Sequence, residues 1–186
     1  MDHKKLLVIV DYQNDFVSGA LGFPGAADID AGIAKTAQEF LAVGNPVVFT
    51  YDTHGGDYLE TREGRALPTP HCDPTSDGWQ LYGQTQQQLC ETCCNGLIRQ
   101  VRKQTFGMSP ASALELRKDF GSVSEIVLAG VVTHMCVLSN AVVLQATWPE
   151  AQIIVDAALC RSFDPELHEK ALDVMEGLQM RVIHRA

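Results

Sequence analysis

Positive charge is scarce in this sequence: 14 Lys and Arg face 23 Asp and Glu, a formal net charge of −9 over 186 residues. A surface that neutralises phosphates needs the opposite sign, so nucleic acid is excluded as a partner. Long apolar runs are missing too. Leu6-Leu7-Val8-Ile9-Val10 is the longest near the start, whereas a spanning helix needs about 20 residues and a signal-peptide core at least about 7. No membrane association is expected, and a cytoplasmic location follows. Internal repeats, low-complexity tracts and linkers are absent, and the length fits a single domain over 1–186. Aromatic residues make up only 7%, yet 46% apolar residues leave ample material for a core.

Six cysteines, Cys72, Cys90, Cys93, Cys94, Cys136 and Cys160, in a chain without a secretory segment read as reduced thiols, ligands or a nucleophile rather than disulfides. Cys90-x-x-Cys93-Cys94 has the look of a metal motif. No second Cys or His pair stands at the spacing a structural zinc site needs.

Short β-branched runs alternate with longer segments of helical period, the pattern of βαβ units and a mostly parallel sheet. Strands are expected at Leu6–Val10, Val47–Tyr51, Leu97–Val101, Ile126–Val132, Gln152–Asp156 and Met180–Ile183. The intervening helices start at Asp28, near Thr85, after Ser109-Pro110, near His134 and after Asp164-Pro165. Residues 52 to 84 show no period and many Gly, Pro, Asp and Thr, and loops of that length are uncommon unless functional.

In an open parallel sheet, ligands bind at the carboxyl ends of the strands where strand order reverses. Asp11 follows the first strand, Lys103 follows the run Leu97–Val101, and Cys136 lies in the first turn of the helix after the Ile126 strand. A carboxylate, an ammonium and a thiol at one sheet edge suit a base, an electrostatic partner and a nucleophile. Helix N-terminal dipoles and a nearby lysine both favour the thiolate, and turn amides from Val131 to Cys136 would face an oxyanion. The plainer uses of these residues are a buried thiol, a solvated lysine and a turn-forming aspartate.

The long loop gathers Asp52, His54, Asp57, Glu60, Glu63 and His71. Asp52-x-His54 puts two ligand-type side chains on one side of an extended segment, with His71 as a third ligand and Glu63 as a fourth or as the partner of a bound water. Mixed imidazole and carboxylate ligands suit Zn, Fe, Mn or Ni better than Ca. A hydrophilic loop with turn-capping Asp and His residues fits the same spacing. His3, His168 and His184 read as surface or terminal residues, and His134 as a first-turn residue pointing away from Cys136.

Val8-Ile9-Val10-Asp11-Tyr12-Gln13-Asn14-Asp15-Phe16, Lys103-Gln104-Thr105-Phe106-Gly107 and Gly130-Val131-Val132-Thr133-His134-Met135-Cys136-Val137 together resemble the isochorismatase-like cysteine hydrolases. Within that superfamily, Tyr51-Asp52-Thr53-His54 with Pro70-His71-Cys72 resembles the metal loop of nicotinamidases. The resemblance implies a three-layer α/β/α fold with a six-stranded parallel sheet in Rossmann-like order. It also implies a catalytic triad of Asp11, Lys103 and Cys136, and a cis Val131–Val132 peptide that turns the amides of Val132 and Cys136 into an oxyanion hole. By the same matching Asp52, His54, Glu63 and His71 hold a divalent metal, zinc first among Zn, Fe, Mn and Ni. Phe16, Leu67 and Val131 are the expected substrate contacts, a small amide the expected partner, and a homo-oligomer the expected assembly.

Two departures qualify the match. Leu67-Pro68 stands where many nicotinamidases have a second aromatic, and Thr133-His134-Met135 where Thr-Asp is commoner. Two further readings stay open: hydrolysis of an N-carbamoyl or ureido compound by the same triad, and a thiol-based redox-sensing or binding module.

Overall fold

A computed structural model describes residues 5–92 and 96–185; it gives no side-chain description for residues 88–92, so the Cys90, Cys93 and Cys94 cluster falls outside the described residues. Six parallel strands form one sheet in the order β3-β2-β1-β4-β5-β6. The strands are β1 (Lys5–Val10), β2 (Val47–Asp52), β3 (Ile98–Lys103), β4 (Glu125–Val131), β5 (Gln152–Arg161) and β6 (Arg181–Ile183). The helices are α1 (Asn14–Val17), α2 (Asp30–Ala42), α3 (Arg62–Ala66), α4 (Gly83–Thr92), α5 (Pro110–Phe120), α6 (Leu138–Thr147) and α7 (Pro165–Gly177). No helix among the described residues is long and apolar enough to cross a membrane.

The central strands are buried on both faces, as helix-covered parallel strands must be. Leu7, Ile9, Val47 and Phe49 face the cluster under α2, while Leu6, Val8, Val48 and Leu128 face the cluster under α5, α6 and α7. Strand order turns back between β1 and β4, so their carboxyl ends open the crevice in which such sheets bind ligands.

Helix starts follow their local chemistry. The Ser109 hydroxyl accepts from the Ser112 amide and the Asp164 carboxylate from the Leu167 amide, each with proline at the next position. The helix expected to begin at Asp28 is preceded by a 3₁₀ turn, Ala26–Ile29, and becomes α-helical only at Asp30. The Asp30 carboxylate is used elsewhere: it accepts from the Gln84 and Thr85 amides and the Thr85 hydroxyl, capping α4 from a distance.

Three strands run beyond their expected ends, β2 by one residue to Asp52. β3 continues through Arg102 to Lys103, because an edge strand alternates in burial and tolerates charge at its exposed positions. β5 passes Asp156 and reaches Arg161 after an irregularity in its pairing with β4. The Asp156 carboxylate, within the strand, accepts from the Ala158 amide and lies 3.1 Å from His184 Nδ1. The stretch 53–82 is less irregular than expected. It contains α3 and 3₁₀ turns at Tyr58–Glu60 and Asp77–Trp79, each too short to carry a helical period.

Candidate active site

Strand register assembles most of the site. Asp52 and Lys103 are paired positions at the ends of β2 and β3, so their side chains leave the sheet on the same face. Asp11 follows β1 with φ +47°, a left-handed conformation that Asp tolerates better than most residues. β4 ends in a cis Val131–Val132 peptide and passes into one π-helical turn, Thr133–Val137, before α6 begins. Cys136 therefore sits on a π turn rather than in the first turn of a regular helix. The Val132 carbonyl accepts from the Met135 and Val137 amides and clasps that turn.

Gly130 allows this close approach. It has φ +121°, and a Cβ there would lie 2.1 Å from the Val10 carbonyl oxygen. Strand β1 and the entry to the cysteine turn could not sit side by side with any other residue at that position.

Lys103 is the centre of the charge network. Its ammonium lies 2.7 Å from Asp11 Oδ2, 3.2 Å from Asp52 Oδ1 and 3.8 Å from Cys136 Sγ. Asp11, Lys103 and Cys136 are all buried. The Thr50 hydroxyl, 2.7 Å from Asp11 Oδ1, donates to it and accepts from the Asp11 amide. Burial pushes the Asp11 carboxyl up, with the Asp52 charge adding to it against the opposing pull of Lys103. Burial would lower Lys103, but Asp11, Cys136 and Asp52 outweigh it and hold the ammonium charged.

The sequence reading expected a thiolate at Cys136. In the structure burial pushes the thiol well above its ordinary range, and Asp11 and Asp52 reinforce burial against the single cation Lys103. The dipole argument is overridden because the sulfur is enclosed and two carboxylates share its one positive neighbour.

Asp52 joins this trio to the loop cluster. Ligand atoms of Asp52, His54, Glu63 and His71 all lie within 4.8 Å of one another. His54 Nε2 and His71 Nε2 are 3.0 and 3.4 Å from Asp52 Oδ2, and His54 Nε2 is 3.7 Å from Glu63 Oε1. His71 Nδ1 is 2.8 Å from the Thr69 carbonyl, which can only accept, so the hydrogen lies on Nδ1 and the lone pair of the neutral ring points from Nε2 into the cluster. Two imidazoles and two carboxylates aimed at one point form a donor set that fits a divalent transition ion.

Supporting residues surround this cluster. The Gln13 amide donates to the carbonyls of Asp52 and Trp79 and accepts from the Asp52 amide, fixing the strand end that carries the ligand. Asp15 Oδ2 accepts from the Cys72 amide, next to His71. The Tyr58 ring lies 4.5 Å from the His54 ring and 5.0 Å from that of His71. Glu63 is set by the first turn of α3, where the Thr61 hydroxyl accepts from the Gly64 amide. Gln13 and Asp15 belong to the motif quoted above but were assigned no role there; Thr50 and Tyr58 carry no local signal.

Above Cys136 opens a cavity of about 580 Å³. Asp52, Glu63, His71 and Cys136 line it together with Phe16, Leu67 and Val132. Val131, expected as a substrate contact, is fully buried in the sheet and does not line the cavity; its neighbour Val132 does. Phe106, Met135 and Phe163 line it as well and were missed, since each arrives from a different loop or turn. His134 turns away from the cavity, as expected, with Nδ1 2.8 Å from the Ser162 hydroxyl. His168, expected at the surface, is half-buried, with Nδ1 2.9 Å from the Thr133 hydroxyl at the start of the cysteine turn.

Comparison with known proteins follows the geometry. An isochorismatase family protein, PncA, of Bacillus subtilis (strain 168) is 31% identical over 173 residues, covering 91% of this chain and 92% of that one. The crystal structure of the nicotinamidase/pyrazinamidase PncA from Bacillus subtilis matches with a TM-score of 0.87 and 31% identity over 96% of this chain and 98% of that one. A pyrazinamidase/nicotinamidase from Streptococcus mutans UA159 matches with a TM-score of 0.83 and 26% identity, covering 97% of this chain and 100% of that one. With the isochorismatase domain model matching residues 5–186, the chain belongs to the isochorismatase family.

Proposed function

We propose that the chain is a metal-containing cysteine amidohydrolase of nicotinamidase type, converting nicotinamide or a closely similar small amide and water to the acid and ammonia. One observation carries the reading: the buried Lys103 ammonium contacts both the Asp11 carboxylate and the Cys136 thiol, and Cys136 lines a largely apolar cavity. The family membership and the relatives described as nicotinamidases support it.

In this reading Asp11 accepts the Cys136 proton as the sulfur attacks the amide carbon. Burial raises the Asp11 carboxyl, which makes it a stronger proton acceptor than an exposed aspartate, while Lys103 stabilises whichever partner is negative. Amides of Val132 and Cys136 receive the oxyanion. Protonated Asp11 then hands its proton to the departing nitrogen, ammonia leaves, and a thioester remains. Water adds to the thioester with Asp11 again as base, the acid departs, and the thiol is restored. Asp52, His54, Glu63 and His71 would hold the divalent ion, which when bound supplies a Lewis-acidic anchor for a ring nitrogen or a water. Phe16 and Leu67 place the ring, so that binding energy fixes the amide over the sulfur.

Ammonia release from nicotinamide, measured for the parent protein and for Cys136→Ala, tests the proposal. Turnover should fall by about 10³-fold or more with the circular-dichroism spectrum unchanged. Full activity in Cys136→Ala, or no ammonia from any small aromatic amide, would overturn it.

A further inference from the structure

The cavity is larger than one six-membered ring requires. A benzene-sized ligand fills a void of about 150 Å³, whereas the space above Cys136 is about 580 Å³. Two features of its lining stand out. The wall that Leu67 and Ala66 provide is aliphatic and short, where a flat aromatic would narrow the space. Phe23 and Phe163 line the same cavity and add two aromatic rings to its wall.

Phe163 behaves as a built wall. It is 57% exposed and yet held in place by ring contacts. Its ring meets the His134 ring edge-on at 5.1 Å and the Phe23 ring at 6.2 Å. The His134 ring is fixed in turn by the Ser162 hydroxyl, which also receives the Asp164 amide. The polar ligand-type side chains that line the cavity are Asp52, Glu63, His71 and the Cys136 thiol, and its other lining side chains, Phe23 and Phe163 among them, are apolar. A ligand that fills the whole cavity therefore has a polar end at the sulfur and an apolar body reaching outward.

We infer that Phe23 and Phe163 form a second, outer subsite for an apolar ring, and that the preferred substrates are aryl-extended primary carboxamides rather than single-ring ones. The inference rests on the amidohydrolase reading and names the substrate class of the same site. The reaction is unchanged: the C–N bond breaks, a C–O bond forms from water, and the nitrogen leaves as ammonia with no change in oxidation state.

The test compares nicotinamide with the phenyl-substituted nicotinamide that carries its second ring meta to both the ring nitrogen and the carboxamide. The parent protein should favour the two-ring amide by about tenfold or more in kcat/KM, mainly through KM. Phe163→Ala should cut that ratio by about fivefold or more, and Phe163→Tyr, which keeps the ring, should retain it. Calorimetric titration of Cys136→Ala with both amides supplies a readout independent of turnover, and the two-ring amide should bind more tightly. Equal kcat/KM for the two amides, equal losses on both in Phe163→Ala, or equal affinities in the titration would overturn the subsite. Tighter binding of the two-ring amide with no ammonia from either would support the subsite and overturn the amidohydrolase reading instead.

Discussion

The ammonium of Lys103 lies 3.2 Å from the carboxylate of Asp52, its register partner on the neighbouring strand. That contact makes the cysteine trio and the ligand cluster one charge network, although the sequence presents them as separate constellations. One cation serves two buried carboxylates and a thiol, and its removal is felt by both halves of the site.

Lys103→Met should destabilise the fold by about 3–5 kcal/mol, because it leaves buried carboxylates without their counter-charge. Adding Asp11→Asn to that variant should recover part of the loss, since a neutral pair needs no compensation. Urea unfolding of the two variants checks both statements. A single variant as stable as the parent would show that Asp11 and Asp52 do not depend on the lysine.

Zinc should raise the thermal midpoint of the parent protein. At about 100 times its dissociation constant the ion contributes about 2.7 kcal/mol, which corresponds to roughly 5–10 °C for a chain of this size. His71→Ala should remove most of that shift, whereas Cys136→Ala should keep it. Differential scanning fluorimetry with and without zinc distinguishes the outcomes, and an equal shift in the His71 variant would place the ion elsewhere.

Alkaline pH should destabilise the protein through two buried groups outside the charge network. Burial pushes the Cys160 thiol up to about 12, and burial with Asp30 nearby raises the Tyr12 hydroxyl, which donates to the Ala26 carbonyl. The native state holds these protons more tightly than the unfolded chain. Their contribution is complete below about pH 8.5 for the thiol and is lost as pH rises toward 12, at about 1.4 kcal/mol per pH unit for each group. Cys160→Ala should flatten the fall of stability between pH 9 and 11 measured by denaturant titration; an identical slope in the variant would contradict the assignment.

Gly130→Ala should cost about 3 kcal/mol or more. The new Cβ meets the Val10 carbonyl and the residue keeps a positive φ, two independent penalties at the entry to the cysteine turn. Loss of activity should accompany the lower unfolding midpoint, because Asp11 and Cys136 are positioned by the same pair of strands.

Several features could be read from residues alone because they are local. Uninterrupted β-branched runs gave β1, β2 and β4, and Ser109-Pro110 and Asp164-Pro165 gave helix starts that the structure reproduces. Asp11, Lys103 and Cys136 could be brought to one edge because a parallel sheet presents its carboxyl ends together. What could not be read comes from contacts between distant segments. Lys103 lies within its strand rather than after it, and an edge strand with alternating charge has no apolar run that would show this. The high thiol pKa of Cys136 depends on enclosure, which no dipole argument supplies. Phe163 and Phe106 enter the cavity from separate connections, and the distant cap that Asp30 provides to α4 has no signature in either segment.

Lys103 occupies the last position of β3, the outermost strand on its side of the sheet. Outer strands detach at lower free energy than inner ones, so a reactive centre whose Asp11 and Cys136 follow the inner strands β1 and β4 draws its lysine from a strand that opens more readily. Activity should therefore vanish at denaturant concentrations where the inner strands still stand, and ligands that grip both Asp52 and Cys136 should fasten that border strand down.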